Sequence, residues 1–193
     1  DLIVAAPLTR PISVIPSSTQ IPIVGISLAY DLNSESDNAA LSANLQECSF
    51  IICDCQYICD KVINEYGINQ KRVGVIAYGC DLELFAANPL KTFNEHNLLV
   101  TRNWFPTHSN RLVLDALQRL HSQGMNPKCT FVGDGPELQE SKRELIKNSI
   151  NSNISFLGSK SPIEVSHLME THEIYISASQ SDGSSVSLME ARK

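Results

Sequence analysis

Short runs of β-branched and other apolar residues alternate along the chain with stretches in which apolar residues recur every three or four positions. Eight runs have the length and composition of buried strands, and they lie at residues 1–6, 21–29, 49–55, 73–78, 98–103, 128–133, 154–158 and 173–179. Because the stretches between them have the length of crossover helices, the pattern predicts an α/β fold of parallel sheets flanked by helices.

Two of the helical stretches carry additional signals. One begins with a capping box formed by Ser161 and Glu164, and it has Pro162 at its first helical position. The other, at residues 110–120, predicts an amphipathic helix whose apolar face is formed by Leu112, Ala116 and Leu120.

The interval at residues 85–97 is the most polar and irregular part of the chain, and it separates two groups of strands. We therefore expect two Rossmann-like units, one at residues 1–87 and one at residues 88–193. Ligands bind such folds at the carboxyl ends of the parallel strands. Candidate functional residues should follow the strands directly, and several do: Gly79, Asp81, Arg102, Gly133, Gly135, Asp182 and Gly183.

Composition and charge exclude several classes of function. With 42% hydrophobic and 19% charged residues, the 193-residue chain is typical of a globular protein. A net charge of -6 without a cluster of Lys and Arg argues against binding to nucleic acid or to anionic lipid. No apolar run approaches the roughly 18 residues of a membrane span, and no signal peptide is recognisable. The chain begins within a strand pattern and ends within a helix pattern, so we expect a fragment of a longer protein.

Cys53, Cys55 and Cys59 form a C-x-C-x3-C cluster, which raises the question of a metal site. Structural zinc usually has four ligands in paired spacings, which this cluster lacks. The pattern favours a buried strand and a helix in which the cysteines act as small hydrophobic residues. A zinc or redox module remains an alternative, and the six cysteines without a secretory signal fit a reducing compartment.

Five motifs from Tyr78 onward resemble those of the retaining glycosyltransferases of family 4, the glycosyl transferases group 1, which have the GT-B architecture of two Rossmann-like domains. They are YGCDLELF, VTRN, FVGDGPE, ISFLG and SQSDGSSVSLMEA, at residues 78–85, 100–103, 131–137, 154–158 and 179–191. The family counterparts are NGVDLERF, VGRL, IVGDGPE, VHFLG and SRSEGFGLVLLEA, in the same order and spacing. Since family enzymes are about twice as long, the resemblance implies the latter part of an acceptor domain and most of a donor domain, both incomplete.

The resemblance implies a role for the last motif in binding a nucleoside-diphosphate sugar. It places the diphosphate at the amino end of a helix that starts near Val186, where unpaired N–H groups and the helix dipole favour anions. Small residues let the ligand approach these amides: Gly183, Ser184 and Ser185. Glu190 would accept hydrogen bonds from the ribose hydroxyls. Asp182, which replaces the first acid of the family's Glu-x7-Glu motif, would contact the donor sugar and is a candidate catalytic residue.

Arg102 is the second candidate catalytic residue, since a fixed guanidinium can stabilise the leaving diphosphate without a metal. Family members usually have a lysine a few residues later, which is missing here, and His108 nearby is predicted as a surface loop residue. The resemblance also implies contacts with the base or diphosphate at Gly133, Gly135, Leu157 and Gly158.

The implied reaction transfers a sugar from a nucleoside-diphosphate sugar to a hydroxyl of a glycan or lipid-linked acceptor, with retention of configuration, as in polysaccharide biosynthesis. No cofactor, metal or nucleic-acid partner is expected. We expect a cytoplasmic enzyme at the inner face of the membrane, with peripheral association through a preceding N-terminal region. The alternative is a non-catalytic nucleotide-sugar-binding module, degenerate through Asp182 and the missing lysine.

Overall fold

A computed structural model describes residues 1–6, 8, 20–27, 32, 38–86, 96–147 and 153–192. Within these ranges, eight strands form two four-stranded sheets, and every strand pairing is parallel. The first sheet has the order β1 (Ile3–Ala5), β2 (Ile23–Ser27), β3 (Phe50–Cys53) and β4 (Val73–Val75). The second has the order β7-β6-β5-β8, formed by β5 (Asn97–Val100), β6 (Lys128–Phe131), β7 (Ile154–Phe156) and β8 (Ile174–Tyr175). The eight predicted strands and the α/β class with two parallel-sheet units are confirmed.

Helices occupy most of the crossovers: α1 (Asn38–Glu47), α2 (Gln56–Asn64), α3 (Asn110–Ser122), α4 (Leu138–Lys147), α5 (Pro162–Thr171) and α6 (Val186–Ala191). Short 3-10 turns cover residues 70–72 and 106–108. The capping box predicted for α5 is confirmed, because Ser161 accepts from the Glu164 N–H and Glu164 accepts from the Ser161 N–H. None of the described helices is long and apolar enough to cross a membrane.

The chain divides into two compact units. The first comprises residues 1–78 together with residues 181–185, and the second comprises residues 79–180 and 186–193. The predicted domain boundary between residues 87 and 88 lies outside the described residues. The segment 181–185, which follows the last strand of the second sheet in sequence, therefore belongs to the first unit.

The core of the first unit includes two of the clustered cysteines. Cys53 and Cys59 are buried among Ile51, Ile58 and Val62. Burial raises the pKa of the Cys53 thiol to about 12 and also raises that of Cys59. All six cysteines lie in the described ranges and are free thiols. The interpretation of the cysteines as small core residues is confirmed for these two, and a protonated thiol is a poor metal ligand.

Aromatic side chains form the centre of the second unit. Trp104 follows β5, is fully buried and packs against Phe131 and Phe156, with ring centroids 5.2 and 5.7 Å away. The predicted apolar face of α3 is wrong, because Leu112 is 61% exposed and Ala116 is exposed. The helix instead buries a neighbouring stripe one position further along, formed by Val113, Leu114 and Leu117.

Candidate functional site

A cavity of about 360 Å³ opens at the carboxyl ends of three strands of the second sheet. Its wall is formed by the residues that follow β5, β6 and β7, by side chains from α5 and α6, and by Phe85. These are Phe85, Thr101, Asn103, Val132, Gly133, Ser159, Lys160, Pro162, Val165, Ser187 and Glu190. This edge is where parallel α/β sheets bind ligands, since the loops there are free to vary while the strands hold them in place.

A second cavity of about 610 Å³ lies at the opposite edge of the same sheet. Its wall includes Asn97, Leu98 and Lys128 at the amino ends of β5 and β6. Leu120 of α3 and Met125, which follows that helix, also line it. Its surface is mostly apolar. The predicted ligand-binding residues are not among those that line it. The smaller cavity at the carboxyl edge is therefore the candidate site.

Gly133 and Gly135 hold the loop after β6 in conformations that other residues rarely adopt, with φ of +121° and +152°. A Cβ on Gly133 would lie 2.8 Å from the Arg102 carbonyl oxygen. A Cβ on Gly135 would lie 2.5 Å from the Trp104 carbonyl oxygen. Both glycines are thus required by close backbone packing. Gly133 lines the cavity, whereas Gly135 packs against the backbone behind it.

The loop after β7 is joined to the Gly133 loop through the backbone. The Gly133 N–H donates to the Gly158 carbonyl at 2.8 Å, and the Leu157 N–H donates to the Phe131 carbonyl at 2.9 Å. Gly158 also has a positive φ of 68°, and the Leu157 side chain is exposed. These bonds extend the β6–β7 pairing by one step and fix the base of the cavity. Gly158 and Leu157 do not line the cavity themselves.

Arg102 follows β5 and reaches towards α6. Its Nη1 donates to Ser187 Oγ at 3.1 Å, and its Nη2 donates to His108 Nδ1 at 3.2 Å. Asn110, the first residue of α3 and fully buried, donates from Nδ2 to the Arg102 carbonyl at 2.9 Å. The guanidinium does not line the cavity itself, but it is bonded to Ser187, which does.

Glu190 lies on α6 and lines the same cavity. Partial burial raises the pKa of its carboxyl group, since removal from water disfavours the charged form. Val186 begins α6, as predicted, immediately before Ser187. Of the predicted site residues, Gly133 and Glu190 line this cavity, and Arg102 contacts its wall through Ser187.

Lys160 supplies positive charge to the cavity wall. Its Nζ lies 3.0 Å from Glu164 Oε1, while the Ser161 N–H and hydroxyl both donate to Glu164 Oε2, at 2.9 and 2.8 Å. These hydrogen bonds lower the pKa of Glu164 to about 2, so it stays ionised at physiological pH. The capping box of α5 therefore also positions the ammonium of Lys160.

The remaining predicted residues, Asp182 to Ser185, belong to the first unit. There, Ser184 Oγ donates to the backbone carbonyl of Asp54 at 2.6 Å. A methyl group on Gly183 would overlap the carboxylate of Asp54. Ser185 is buried and Asp182 is exposed. Asp54 follows β3, and it had not been singled out in the sequence.

Three residues of the candidate site were missed by sequence reasoning. Ser187 and Lys160 line the cavity, and His108 is half-buried against Arg102 instead of lying on the surface. A signal existed for Lys160, because it lies two positions after Gly158 at the end of a predicted strand. Among the described residues, no group of three His, Cys, Asp or Glu side chains is arranged to hold a metal ion.

The chain is similar in sequence to one curated protein and in structure to several solved ones. EpsF of Bacillus subtilis (strain 168), whose name places it provisionally among the glycosyltransferases, is 25% identical over 141 residues, which cover 68% of this chain and 36% of EpsF. The Anabaena Alr3699/HepE structure in complex with UDP and glucose superimposes with a TM-score of 0.69 at 19% identity, over 89% of this chain and 50% of HepE. The structure of a mutant S. aureus TarM in complex with Fondaparinux, alpha-GlcNAc-glycerol and UDP superimposes with a TM-score of 0.75 at 14% identity, over 93% of this chain and 36% of TarM.

These similarities agree with the two parallel sheets and define the architecture as GT-B. This chain spans about half the length of HepE and about a third of EpsF and TarM. The family model of the glycosyl transferases group 1 matches residues 93–193, which contain the whole second sheet and most of the lining of the cavity. Because that match covers more than half of the sequence, the chain belongs to the glycosyl transferases group 1 family.

Proposed function

We propose that the protein to which this chain belongs is a retaining glycosyltransferase of family 4. It transfers a sugar from a nucleoside-diphosphate sugar to a hydroxyl of a glycan or a lipid-linked acceptor. The second unit binds the nucleotide part of the donor. No cofactor or metal takes part in the proposed reaction. The nucleoside-diphosphate sugar is a substrate, and the cavity of the second unit accommodates its nucleotide part.

The observation that carries this proposal is the composition of the cavity at the carboxyl edge of the second sheet. A partly buried carboxylate, Glu190, and an ammonium, Lys160, lie in one wall around the bare backbone of Gly133. A carboxylate suits the paired hydroxyls of a ribose, and a cation suits a phosphate. A volume of about 360 Å³ falls within the range of small-molecule sites.

The relatives support a uridine nucleotide as the first donor to test. The HepE and TarM structures both contain UDP, and a further HepE structure contains UDP-glucose. Their identity to this chain is 19% or less, so they support the fold and make UDP a choice for experiment. Lys160 and the backbone after Gly158 are the groups that we expect to contact the base or the diphosphate.

In the proposed reaction, the bond between the anomeric carbon and the diphosphate breaks while the acceptor oxygen bonds to the same face of that carbon. The proton of the acceptor hydroxyl passes to the leaving diphosphate. Negative charge on the diphosphate grows during this step, and the guanidinium of Arg102, fixed by Ser187 and His108, is suited to stabilise it. Asp182 would orient the donor sugar. The anomeric configuration is checked by NMR of the purified product.

We expect the enzyme to act in the cytoplasm at the inner face of the membrane, in polysaccharide biosynthesis. Six free thiols are in keeping with a reducing compartment. The 193-residue chain should not catalyse transfer alone, because both substrates must be held together for reaction. Turnover by the isolated chain, confirmed by mass spectrometry, would contradict this. Activity of the full-length enzyme should also survive EDTA.

The proposal is tested by thermal unfolding of the full-length protein with UDP-glucose, GDP-mannose and ADP-glucose and with the bare nucleotides. A ligand at 100 times its Kd stabilises the native state by about 2.7 kcal/mol, which is a clear shift in midpoint. The expected result is that one bare nucleotide and the matching nucleotide sugar raise the unfolding midpoint, and that the protein transfers that sugar. Binding without transfer would favour the degenerate binding module. The absence of any shift would overturn the proposed function.

A further inference from the structure

Two hydroxyl groups meet at the carboxyl edge of the second sheet. Thr101 Oγ1 lies 3.0 Å from the phenolic oxygen of Tyr175. Thr101 follows β5 and lines the candidate site, whereas Tyr175 ends β8 and is not among the residues of the lining. Both residues belong to the second unit. The pair is therefore a feature of that unit's own cavity.

The position of the Thr101 hydroxyl is fixed by the sheet. β5 and β8 pair in parallel with Leu99 opposite Tyr175, and the Ile176 N–H donates to the Leu99 carbonyl at 2.9 Å. Threonine is β-branched, so few side-chain rotamers are open to it, and the bond to Tyr175 favours one of them. Both residues of the pair are half-buried. A ligand in the cavity thus meets a hydroxyl that is already oriented.

One proton of this pair remains available. A hydrogen bond between two hydroxyl groups uses only the proton of the donor, so the accepting hydroxyl can still donate. Among the described residues, neither Thr101 Oγ1 nor the Tyr175 hydroxyl has a second hydrogen bond, not even to the Glu190 carboxylate in the same cavity wall. When Tyr175 donates, Thr101 keeps its proton for another acceptor. The residue that lines the cavity can therefore donate to a ligand.

The neighbouring charges indicate what kind of acceptor the ligand offers. Thr101 directly precedes Arg102, whose Nη1 donates to Ser187 of the cavity wall at 3.1 Å. Lys160 contributes an ammonium to the same wall. Charged phosphate oxygens only accept hydrogen bonds, and the bonds that they accept are strong. They also favour the arrangement in which Tyr175 donates to Thr101, because each hydrogen bond in such a chain polarises the next.

We propose that the Thr101 hydroxyl donates a hydrogen bond to a diphosphate oxygen of the bound nucleoside diphosphate, and that Tyr175 positions Thr101 by donating to it. This inference rests on the proposed function and adds two residues to its nucleotide site. It involves only the second unit and the nucleotide part of the donor, so the bare nucleoside diphosphate is sufficient to test it. A nucleoside, which lacks the diphosphate, does not make this contact.

The test is calorimetric titration of the full-length protein and its variants with UDP, or with GDP or ADP if UDP does not bind. Thr101→Val has nearly the same shape without the hydroxyl. It should weaken binding of the nucleoside diphosphate by about 10- to 100-fold, the usual range for a hydrogen bond to a charged group. Thr101→Ser keeps the hydroxyl and should bind clearly more tightly than Thr101→Val. Tyr175→Phe should weaken binding by about 2- to 10-fold, the range for an ordinary hydrogen bond.

Two comparisons separate a phosphate contact from a general effect on the site. The matching nucleoside is measured by displacement titration, and its affinity should change by less than about twofold in Thr101→Val, because it does not make the contact. In the Thr101→Val background, Tyr175→Phe should have no further effect, since it acts only through the threonine.

Thr130→Val is the matched control. Thr130 lies on β6 of the same sheet, its hydroxyl lies 2.9 Å from His172 Nε2, and it is not among the residues that line the cavity. The substitution removes a hydroxyl that has an aromatic partner, as Thr101→Val does, but away from the site. It should therefore leave the affinities for the nucleotide and the nucleoside unchanged.

Three results would overturn the contact while leaving the proposed function intact. They are unchanged binding of the nucleoside diphosphate by Thr101→Val, equal weakening of nucleoside and nucleoside diphosphate, and binding by Thr101→Ser as weak as that by Thr101→Val. A further loss on adding Tyr175→Phe to Thr101→Val overturns the positioning role of Tyr175. If wild type binds none of the nucleotides, the proposed function fails and this inference fails with it.

Should Thr101→Val not fold, Tyr175→Phe takes its place, because it leaves the threonine present and removes only the group that orients it. Tyr175→Phe must then weaken the nucleoside diphosphate more than the nucleoside. An equal effect on the two ligands, or no effect on either, overturns the proposal.

Discussion

The Nη2 atom of Arg102 donates to Nδ1 of His108 across 3.2 Å. An arginine has no acceptor, so the histidine nitrogen must accept, and a neutral His108 then carries its proton on Nε2. Ser179 Oγ lies 3.4 Å from the same nitrogen. Together with the bond to Ser187, this contact fixes the direction of the guanidinium.

Replacing Arg102 by alanine should lower kcat by about 100-fold or more, on the scale of removing a preorganised group that stabilises developing charge. Donor binding in the ground state should weaken much less, because the leaving-group charge is not yet developed. Steady-state kinetics and calorimetry on the full-length enzyme separate the two. Arg111→Ala is the control, since Arg111 pairs with Glu140 and Glu144 on α4 away from the cavity. Normal kcat in Arg102→Ala would mean that the arginine has no catalytic role.

His108→Ala should reduce kcat by about 2- to 10-fold, which corresponds to the loss of one ordinary hydrogen bond of about 0.5–1.5 kcal/mol. His108→Asn should recover part of the loss, because its amide oxygen can accept near the position of Nδ1. The Kd of the nucleotide should change little in either variant. A role confined to folding predicts instead that kcat and the unfolding midpoint fall together without rescue by asparagine.

Glu190→Gln keeps the shape of the side chain but removes its charge. If the carboxylate holds the ribose hydroxyls, binding of the bare nucleoside diphosphate should weaken by about 1.5–3 kcal/mol. Calorimetry with UDP, and with GDP and ADP if UDP does not bind, measures this directly. Binding as tight as that of wild type would remove the ribose role and leave Glu190 as a helix residue.

The raised pKa of Glu190 also predicts a pH dependence. As pH falls through that pKa, the carboxylate gains a proton and the affinity for nucleotide should drop. The Glu190→Gln variant should lack this component, so the ratio of the two affinities should approach one in acid. The phosphate of the nucleotide titrates in both proteins and cancels from the ratio. A ratio of affinities that does not change across the pH range would contradict the prediction.

The raised pKa of Glu190 also bears on stability, since it means that the folded state holds the proton more tightly than the unfolded state does. Protonation of Glu190 therefore favours folding, and Glu190→Gln should not unfold at a lower temperature near neutral pH.

Gly133→Ala should destabilise the second unit by about 1–3 kcal/mol, because it forces a side chain into a positive-φ conformation beside the Arg102 carbonyl. Chemical denaturation gives the free energy of unfolding. Gly79→Ala is a matched control, since an added Cβ there meets no atom within 4 Å of the described structure. It should be neutral or slightly stabilising. Equal stability of the two variants would show that the Gly133 loop relaxes freely.

The alternation of apolar runs was sufficient to predict all eight strands, because buried parallel strands are continuous apolar segments with polar residues directly after them. The apolar face of α3 was not predictable in the same way. Leu112 and Val113 each begin a stripe with a period of four, and only packing against the sheet decides which stripe is buried. Local periodicity contains no information on that choice.

The residues of the candidate site were likewise predictable only in part. Arg102, Gly133 and Glu190 were recognised because each lies at a strand end or within a motif. Ser187 was missed because its contact with Arg102 joins positions far apart in sequence. Asp54 was missed because its burial is a property of the folded environment and not of the residue type.

The strand order of the second sheet has a consequence for how the protein is made. On one side β5 pairs with β8, where Leu98 lies opposite Ile174, so most of the second unit must be synthesised before that pairing can form. At typical synthesis rates, this edge of β5 stays open on the ribosome for about 4 to 15 s. An open apolar strand edge is a template for aggregation. Nascent chains stalled before Tyr175 should therefore bind chaperones, and chains stalled well after it should release them.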